Sequence, residues 1–593
     1  MRYKLIAPVQ YASATEQVFH NRGIEDVAGY MSADFNIVNP PEAFGEDVMH
    51  AGVKMVGKHV SQNSKTIIIV DPDVDGNTAA ATFLNYLYNL FPSFTENIQF
   101  YFHTGKQHGL NDCYKYIIEN DFKFVICPDA GSNDTDECYM LTKHNIDVLI
   151  LDHHDYDKKN EYPIIINNQE GYSNYPNKAL SGVGVVWQFC RYFDKITSTD
   201  YADDLLDLVA IGLVGDMMDL RSPETKVLIS AGLKKLHNPF IYKMAQKNAF
   251  KLGSEITPIG AAFYIVPLLN AIQRSGTQEE KELVFKSLLT YKAFTNILST
   301  KRGHRVGETE QLVEQAIRVC TNVKNRQTKI QDAAVAKLEQ QIEEEGLLDK
   351  CKVLMLLLNE KDEIPSEVRG LIANKFMSKY QRPCCILTKS EEYCGQTMDG
   401  FRYETYYAGS ARGCSLADVN DFKQICLDSQ SIDYAVGHPN AFGIKIYDND
   451  LSTFVEYMNT ALADMPDESV YYVDYIFDGQ NVDENVLINI AELKSYWGTE
   501  LNEPLVAVKE LKVTPDMVEV FGGKTLKITL KNGVNLILFN AEQELCEKLK
   551  EHNTGYMELD IVGKCNKNEW CGNITGQIFI EDYNITDSNK YYF

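Results

Sequence analysis

The sequence predicts an α/β fold: a parallel sheet covered by helices, a smaller second α/β lobe, and a small β-barrel at the end. Three observations predict it. From Lys65, apolar runs of strand length alternate with amphipathic stretches of helix length, the pattern of βαβ units. Three of those runs stop abruptly at acidic or imidazole residues. After Glu503, short alternating segments such as VAVKELKV, KTLKITL and GQIFIED are separated by turn residues, as in small barrels.

The strands expected in the first lobe are Thr66 to Val70, Phe122 to Cys127 and Val148 to Leu151. Between about Arg305 and Lys350 polar residues with spaced apolar ones predict one or two long exposed helices linking two lobes. Val353 to Leu358 and Cys384 to Leu387 are strands of the second lobe, followed by the turn-rich YYAGSARG and VGHPNAFG. A chain of 593 residues is too long for one core, and roughly three or four units are expected.

With 45% hydrophobic and 24% charged residues the composition is that of a soluble globular protein. No apolar run approaches the ~20 residues of a membrane span. The opening MRYKLIAPVQYAS has no continuous apolar stretch leading to a small-residue cleavage site, so a cytoplasmic protein is expected, monomeric by default. Fourteen cysteines without a two-residue spacing predict reduced, mostly buried thiols. The net charge of −26 opposes binding of a polyanion, unless divalent cations and a local basic groove face it.

Four clusters carry the chemistry. DPDVDG places Asp71, Asp73 and Asp75 on a strand-to-helix turn, where three carboxylates repel one another unless cations lie between them. The plain alternative is an acidic turn capping the next helix. Asp129 closes FVICPD, where a lone aspartate also suits a turn. Asp152, His153 and His154 close IDVLILDHH and form a ligand set with its supporting carboxylate beside it. Asp216 ends the apolar helix LLDLVAIGLVGD, with Asp219 expected one turn further along the same face. Open α/β sheets bind ligands at the carboxyl ends of their strands, so these residues are expected to meet at one rim. At least four carboxylates and an imidazole suit two divalent ions ~3.5–4 Å apart, with a water activated between them as nucleophile at phosphorus. Mixed oxygen and nitrogen ligands favour Mn²⁺ over Mg²⁺.

Beyond these clusters, HNRGIEDVAGYM, ALSGVGVV, PLLNAIQRSG, VRGLIANKFMSKYQRP, GSARG and GHPNAFG follow in an order that resembles the DHH phosphoesterases, and within them the RecJ exonucleases, over about 500 residues. KTLKITLKNG and NEWCGNITGQIFIEDY are similar to that branch's OB-fold domain. The resemblance implies an N-terminal segment at 1–60, a DHH catalytic domain at 61–300, connecting helices at 301–350, a DHH-associated substrate-binding domain at 351–465, a linker region at 466–502 and an OB-fold-like domain at 503–593.

It also implies Asp73, Asp75, Asp129, His153 and Asp216 as metal ligands, with Asp129 bridging and Asp71 assisting. His154 would contact the scissile phosphate, and Asp152 would orient a histidine. Asn270 and Arg274 would face the substrate, while Ser410, Arg412, Gly437 and His438 hold the adjoining backbone, with Lys106 and His108 as weaker candidates. Guanidinium and backbone amides suit phosphate oxygens. The plain alternatives are a surface ion pair for Arg412 and a structural histidine for His438. Pro72, where Tyr or His is common, and Val436, where a first glycine is common, depart from the pattern.

The implied activity is hydrolysis of single-stranded DNA from 5′ to 3′, releasing mononucleotides, with a single-strand-binding protein or a helicase as partner. A cleft between the lobes would exclude duplex, and Trp497, Tyr556 and Trp570 are candidate stacking residues for the barrel, the plain alternative being core aromatics. Two other functions compete. One is a phosphodiesterase for short oligonucleotides or cyclic dinucleotides, which would need neither the long helix nor the barrel. The other is a non-catalytic single-strand-binding replication factor, which would have no reason to keep every ligand.

Overall fold

In a computed structural model the chain divides into two units, one formed by 22–325 with 493–503, the other by 1–21, 326–492 and 504–593. The structure describes all residues except 104–106, 360–363, 398–399, 552–554, 571 and 591–593, and leaves undescribed the side chains of 396–397, 400–401, 551, 570 and 587–590.

The first of these units is built on a five-stranded, wholly parallel sheet of β1 (Thr66–Val70), β2 (Ile98–Phe102), β3 (Phe124–Pro128), β4 (Asp147–Asp152) and β5 (Ile164–Asn167), in the order β2-β1-β3-β4-β5. The central strands β1 and β3 are buried along their whole length, as a sheet covered on both faces requires. Helices α1 (Val74–Leu90) and α2 (Gly182–Thr197) pack against it, and α3 (Leu206–Gly215) packs against both helices. Helices α4 (Pro239–Lys247) and α5 (Val266–Ser275) follow, then a hairpin of β6 (Asn296–Leu298) and β7 (Thr309–Gln311). Edge strands β2 and β5 were absent from the sequence-based expectation; β2 is only half-buried along most of its length.

One long helix, α6 (Leu312–Glu345), occupies the stretch where one or two long exposed helices were expected. It is not solvated all round. Val313, Ala316 and Cys320 are buried near its start, and Leu338 and Ile342 join the core beneath the second unit's sheet.

That second unit holds helix α7 (Ser366–Tyr380) and the strands β8 (Leu354–Leu358), β9 (Cys384–Thr397), β10 (Gly400–Arg412), β11 (Tyr434–His438) and β12 (Ala441–Tyr447), ordered β11-β12-β10-β9-β8. Only β8 and β9 run parallel; the long β9–β10 hairpin extends well past the Leu387 expected from the apolar run. The same unit carries a seven-stranded mixed sheet of β13 (Tyr475–Asp478), β14 (Leu505–Val513), β15 (Val518–Phe521), β16 (Thr525–Thr529), β17 (Asn535–Phe539), β18 (Gly555–Trp570) and β19 (Asn573–Lys590), ordered β13-β14-β18-β19-β17-β16-β15. Here the N-terminal strand Arg2–Leu5 pairs in parallel with Val470–Val473.

Among the described residues thirteen cysteines are free thiols, all buried except Cys394. Among the described residues no helix is long and apolar enough to cross a membrane.

Candidate metal centre

Four chain segments converge at the carboxyl end of the parallel sheet. β1 ends at Val70, and the following turn delivers Asp71, Asp73 and Asp75 into the start of α1. β3 ends at Pro128 and delivers Asp129, β4 ends at Asp152 and delivers His153 and His154, and the end of α3 delivers Asp216. Three overlapping sets of ligand atoms, Asp71–Asp73–Asp129, Asp75–His153–Asp216 and Asp129–His153–His154, each lie within 4.8 Å of one another. The predicted metal ligands are thus brought to one place.

Local structure holds each of them. Asp129 takes a left-handed backbone with φ of +65° and donates its N–H to Leu151 O at 2.7 Å, tying β3 to β4 just where the carboxylate turns inward. Opposite it, a Cβ on Gly182 would lie 2.2 Å from Asp129 Oδ1, so only glycine lets α2 start there. Asp75 Oδ1 accepts from the Ser181 hydroxyl at 2.8 Å and the Val183 N–H at 3.2 Å. Asp73 does cap α1, accepting from Gly76 N–H at 2.9 Å, so the acidic turn has a structural role as well.

Asp152 is fully buried and accepts from the Ser132, His153 and His154 N–H groups, and it meets His154 Nδ1 at 2.8 Å. Against burial, which pushes it up, the hydrogen bond and charge of His154 hold Asp152 well below the usual carboxylate range. Against its own burial, the same Asp152 contact raises His154 to about 9, leaving a cationic ring with its other nitrogen free. The buried acid thus fixes both the orientation and the charge of the imidazole.

The rest of the cluster is electrostatically unsatisfied. Buried oxygens of Asp71 (Oδ1), Asp75 (Oδ2), Asp129 (Oδ1) and Asp216 (Oδ2), and His153 Nε2, have no hydrogen-bond partner. His153 Nε2 lies 3.3 Å from both Asp129 Oδ1 and Asp216 Oδ2. Burial, followed by the charges of Asp75 and Asp73, pushes Asp216 up to about 8 and Asp129 well above its ordinary value. Burial and the neighbouring Asp71 and Asp75 push Asp73 to about 6. Buried polar atoms are almost always paired, and unpartnered acceptors this concentrated could hold a cation. The donor set of hard oxygens and imidazole fits divalent cations.

Substrate candidates are placed more unevenly. His108 Nδ1 lies 2.8 Å from Asp71 Oδ2 with most of its ring exposed, so it borders the cluster; Lys106 lies outside the described residues. Arg274 is exposed at the end of α5, where the Asp73 charge acts on it, and Asn270 is half-buried one turn earlier. In the other unit, Ser410 and Arg412 on β10 and Gly437 and His438 on β11 flank β12 at one end of the sheet. Gly437 has φ of +133° and leaves no room for a Cβ, whose nearest neighbour would be Ala441 O at 2.8 Å. His438 is exposed, which removes the alternative of a buried structural histidine; Arg412 Nη1 donates to Ala411 O at 2.7 Å.

Two expectations are corrected. Asp219 does not continue the face of Asp216, because α3 stops at Gly215 and Met217 turns left-handed with φ of +56°; Asp219 instead forms a paired contact with Arg221. Trp497 is 1% exposed beneath Arg22 and cannot stack a base. Tyr556 is half-buried with Lys512 over its ring, and the side chain of Trp570 lies outside the described residues.

Sequence reasoning missed several supporting residues. Gln273 on α5 donates to Asn77 Oδ1 at 3.0 Å, and Asn77 donates to Asp71 O and Asp73 O, bracing the acidic turn. His103, directly after β2, is buried with Nδ1 2.9 Å from Asp112 and an unpartnered Nε2 4.0 Å from Asp71 Oδ1. The run IQFYFH, another strand-length apolar run closing on an imidazole, was the signal for it.

Comparison with known proteins agrees with this architecture. Residues 65–213 match the DHH family, N-terminal domain, and residues 473–582 match the RecJ OB domain. The chain is RecJ-like, with a DHH domain and a RecJ OB domain in one polypeptide. A Bacillus subtilis protein, YorK, provisionally named an SPbeta prophage-derived single-strand DNA-specific exonuclease, is 29% identical over 100% of this chain and 99% of its own. The single-stranded-DNA-specific exonuclease RecJ of the same organism is 25% identical over 93% of this chain and 65% of its own. RecJ from Thermus thermophilus, crystallised with Mn²⁺, shares the fold with a TM-score of 0.69 at 16% identity, over 99% of this chain and 80% of that one.

Proposed function

We propose that this RecJ-like chain is a metal-dependent exonuclease that hydrolyses single-stranded DNA from 5′ to 3′ and releases mononucleotides. The observation that carries the reading is the set of unpartnered carboxylate oxygens and the His153 nitrogen gathered at the carboxyl end of the parallel sheet. The relatives named as single-strand DNA-specific exonucleases support the choice of substrate.

Asp71, Asp73, Asp75, Asp129, His153 and Asp216 would hold two divalent cations, Mn²⁺ ahead of Mg²⁺. Bound there, the pair supplies Lewis acidity and a water acidic enough to attack phosphorus at neutral pH. Asp129 and His153 each belong to two of the three ligand sets, and the Asp129 carboxylate would be the one shared between the cations. Ser181 and Val183 hold Asp75 in place, which leaves its second oxygen for the cation. His154, kept protonated by Asp152, presents a cation to the anionic phosphate. Arg274 and His108 at the rim would meet the neighbouring phosphate oxygens, with Ser410, Arg412, Gly437 and His438 as backbone holders. The OB domain would track the strand, and a single-strand-binding protein or helicase would supply it.

The test is hydrolysis of 5′- and 3′-labelled single strands of ~40 nucleotides with Mn²⁺, Mg²⁺ or chelator, beside Asp129→Ala. Early release of 5′-labelled mononucleotide, lost with chelator and in the variant, is expected. Cleavage of dinucleotides alone, or binding without release, contradicts the proposal.

A further inference from the structure

The proposed activity leaves one difficulty, since a chain of net charge −26 must hold a polyanion. The loop of the β6–β7 hairpin is the opposite in character. Lys301, Arg302, His304 and Arg305 fall within five residues, and the loop is exposed from Thr300 to Glu308. Beside it opens a cavity of about 500 Å³ lined by Lys243, Lys247, Lys301 and Arg318, with Glu314 among its walls.

Three acids lie in this region, and Glu308 in the loop accepts from the Arg305 backbone N–H at 2.9 Å. Glu310 is buried and bidentate to Arg318, at 2.6 and 2.8 Å, and lies 3.4 Å from Lys301. The Arg318 hydrogen bond holds its carboxyl down to about 2, so it stays ionised and locks the base of the hairpin to α6. Glu314 pairs with Lys243. Lys247 is exposed and donates to the Thr321 hydroxyl at 2.7 Å, a neutral partner. Among the described residues no ion pair engages Arg302 or Arg305. Uncompensated guanidinium and ammonium groups on a locally anchored hairpin suit phosphate oxygens.

We infer that this hairpin and cavity form a docking track for the phosphodiester backbone of single-stranded nucleic acid, separate from the metal cluster, with Lys247, Arg302 and Arg305 as its contacts. The inference rests on the proposed activity and locates the basic surface that the activity needs. Charge complementarity commits the occupant to a nucleic-acid strand.

The test uses the full chain carrying Asp129→Ala, so that bound strand is not consumed, with and without K247E/R302E/R305E. Affinity for a ~40-nucleotide single strand is followed against NaCl concentration, where each lost phosphate contact lowers the log–log slope by about 0.7. The triple variant is expected to bind about tenfold or more weaker at low salt, with a slope smaller by about 2. Neutral K247Q/R302Q/R305Q should fall between, and Mn²⁺ affinity and melting temperature in the chain without Asp129→Ala should not change. An unchanged slope and affinity overturn the track and leave the patch to an acidic protein partner. Loss of strand binding in the parent chain as well counts against the exonuclease reading itself.

Discussion

Two aspartates at opposite ends of one helix, Asp207 buried and Asp216 half-buried with one oxygen fully covered, have opposite surroundings. Asp207, in the first turn of α3, is 1% exposed and accepts from three backbone N–H groups, those of Leu208, His237 and Asn238, at 2.6 to 2.8 Å. Asp216, just past the last turn, has an oxygen with no partner, faces other carboxylates, and sits at the helix end where backbone carbonyls already carry partial negative charge. Burial raises both, Asp207 to about 6 with the backbone hydrogen bonds opposing, and Asp216 to about 8 with neighbouring acids adding. Burial alone therefore does not distinguish a structural acid from a ligand. What distinguishes them is whether the chain itself supplies the positive partner.

The largest expected effect separates the two by activity. Asp216→Asn should lower hydrolysis by about 10³-fold or more, the several kcal/mol a metal contributes at the transition state, while the metal-free protein gains on the order of 1 kcal/mol or more, since an acid that must stay protonated to fold is replaced by a neutral amide. Asp207→Ala should do the reverse. Its removal strands buried N–H donors and costs about 3 kcal/mol, read as an earlier denaturant transition, with hydrolysis per folded molecule nearly unchanged. Equal stability losses in both would break the comparison.

A pH series in chelator sharpens it further. A carboxyl at about 8 in the folded state against about 4 unfolded binds an extra proton when folded, so ionising it as pH rises lowers stability. His154, raised to about 9, loses its contribution in the same direction above its unfolded value. The melting temperature should fall between about pH 6.5 and 8 without metal, and Mn²⁺ should reverse that slope because metal binding strengthens as protons leave. A rising melting temperature in chelator over this range would contradict the assignment.

The smallest effect concerns support rather than ligation. Ser181→Ala removes the hydroxyl that fixes Asp75, and should weaken Mn²⁺ binding about 10- to 100-fold in calorimetry. Unchanged affinity would show that the Val183 N–H positions Asp75 unaided.

The strands β1, β3 and β4 were legible because each apolar run breaks at a charged or imidazole residue, and a covered parallel strand has to be apolar throughout. Edge strand β2 went unread although IQFYF is an apolar run of strand length, because it closes on an imidazole with no acid beside it, and with it His103 escaped notice. Asp219 was misplaced because helical spacing was extended past Gly215, where the left-handed turn at Met217 ends the register. Gly182, Ser181 and Gln273 act through contacts between residues distant in the chain, as in the 106-residue separation of Ser181 from Asp75, and no local pattern marks such a contact. Trp497 read as a surface stacking candidate because an aromatic's burial depends on what folds over it, here Arg22.

The most direct measurement is anomalous diffraction from crystals grown with Mn²⁺. Two peaks about 3.5–4 Å apart are expected, both touching Asp129, with Asp73 on one side and His153 and Asp216 on the other. Peaks elsewhere, or none among these side chains, would contradict the account.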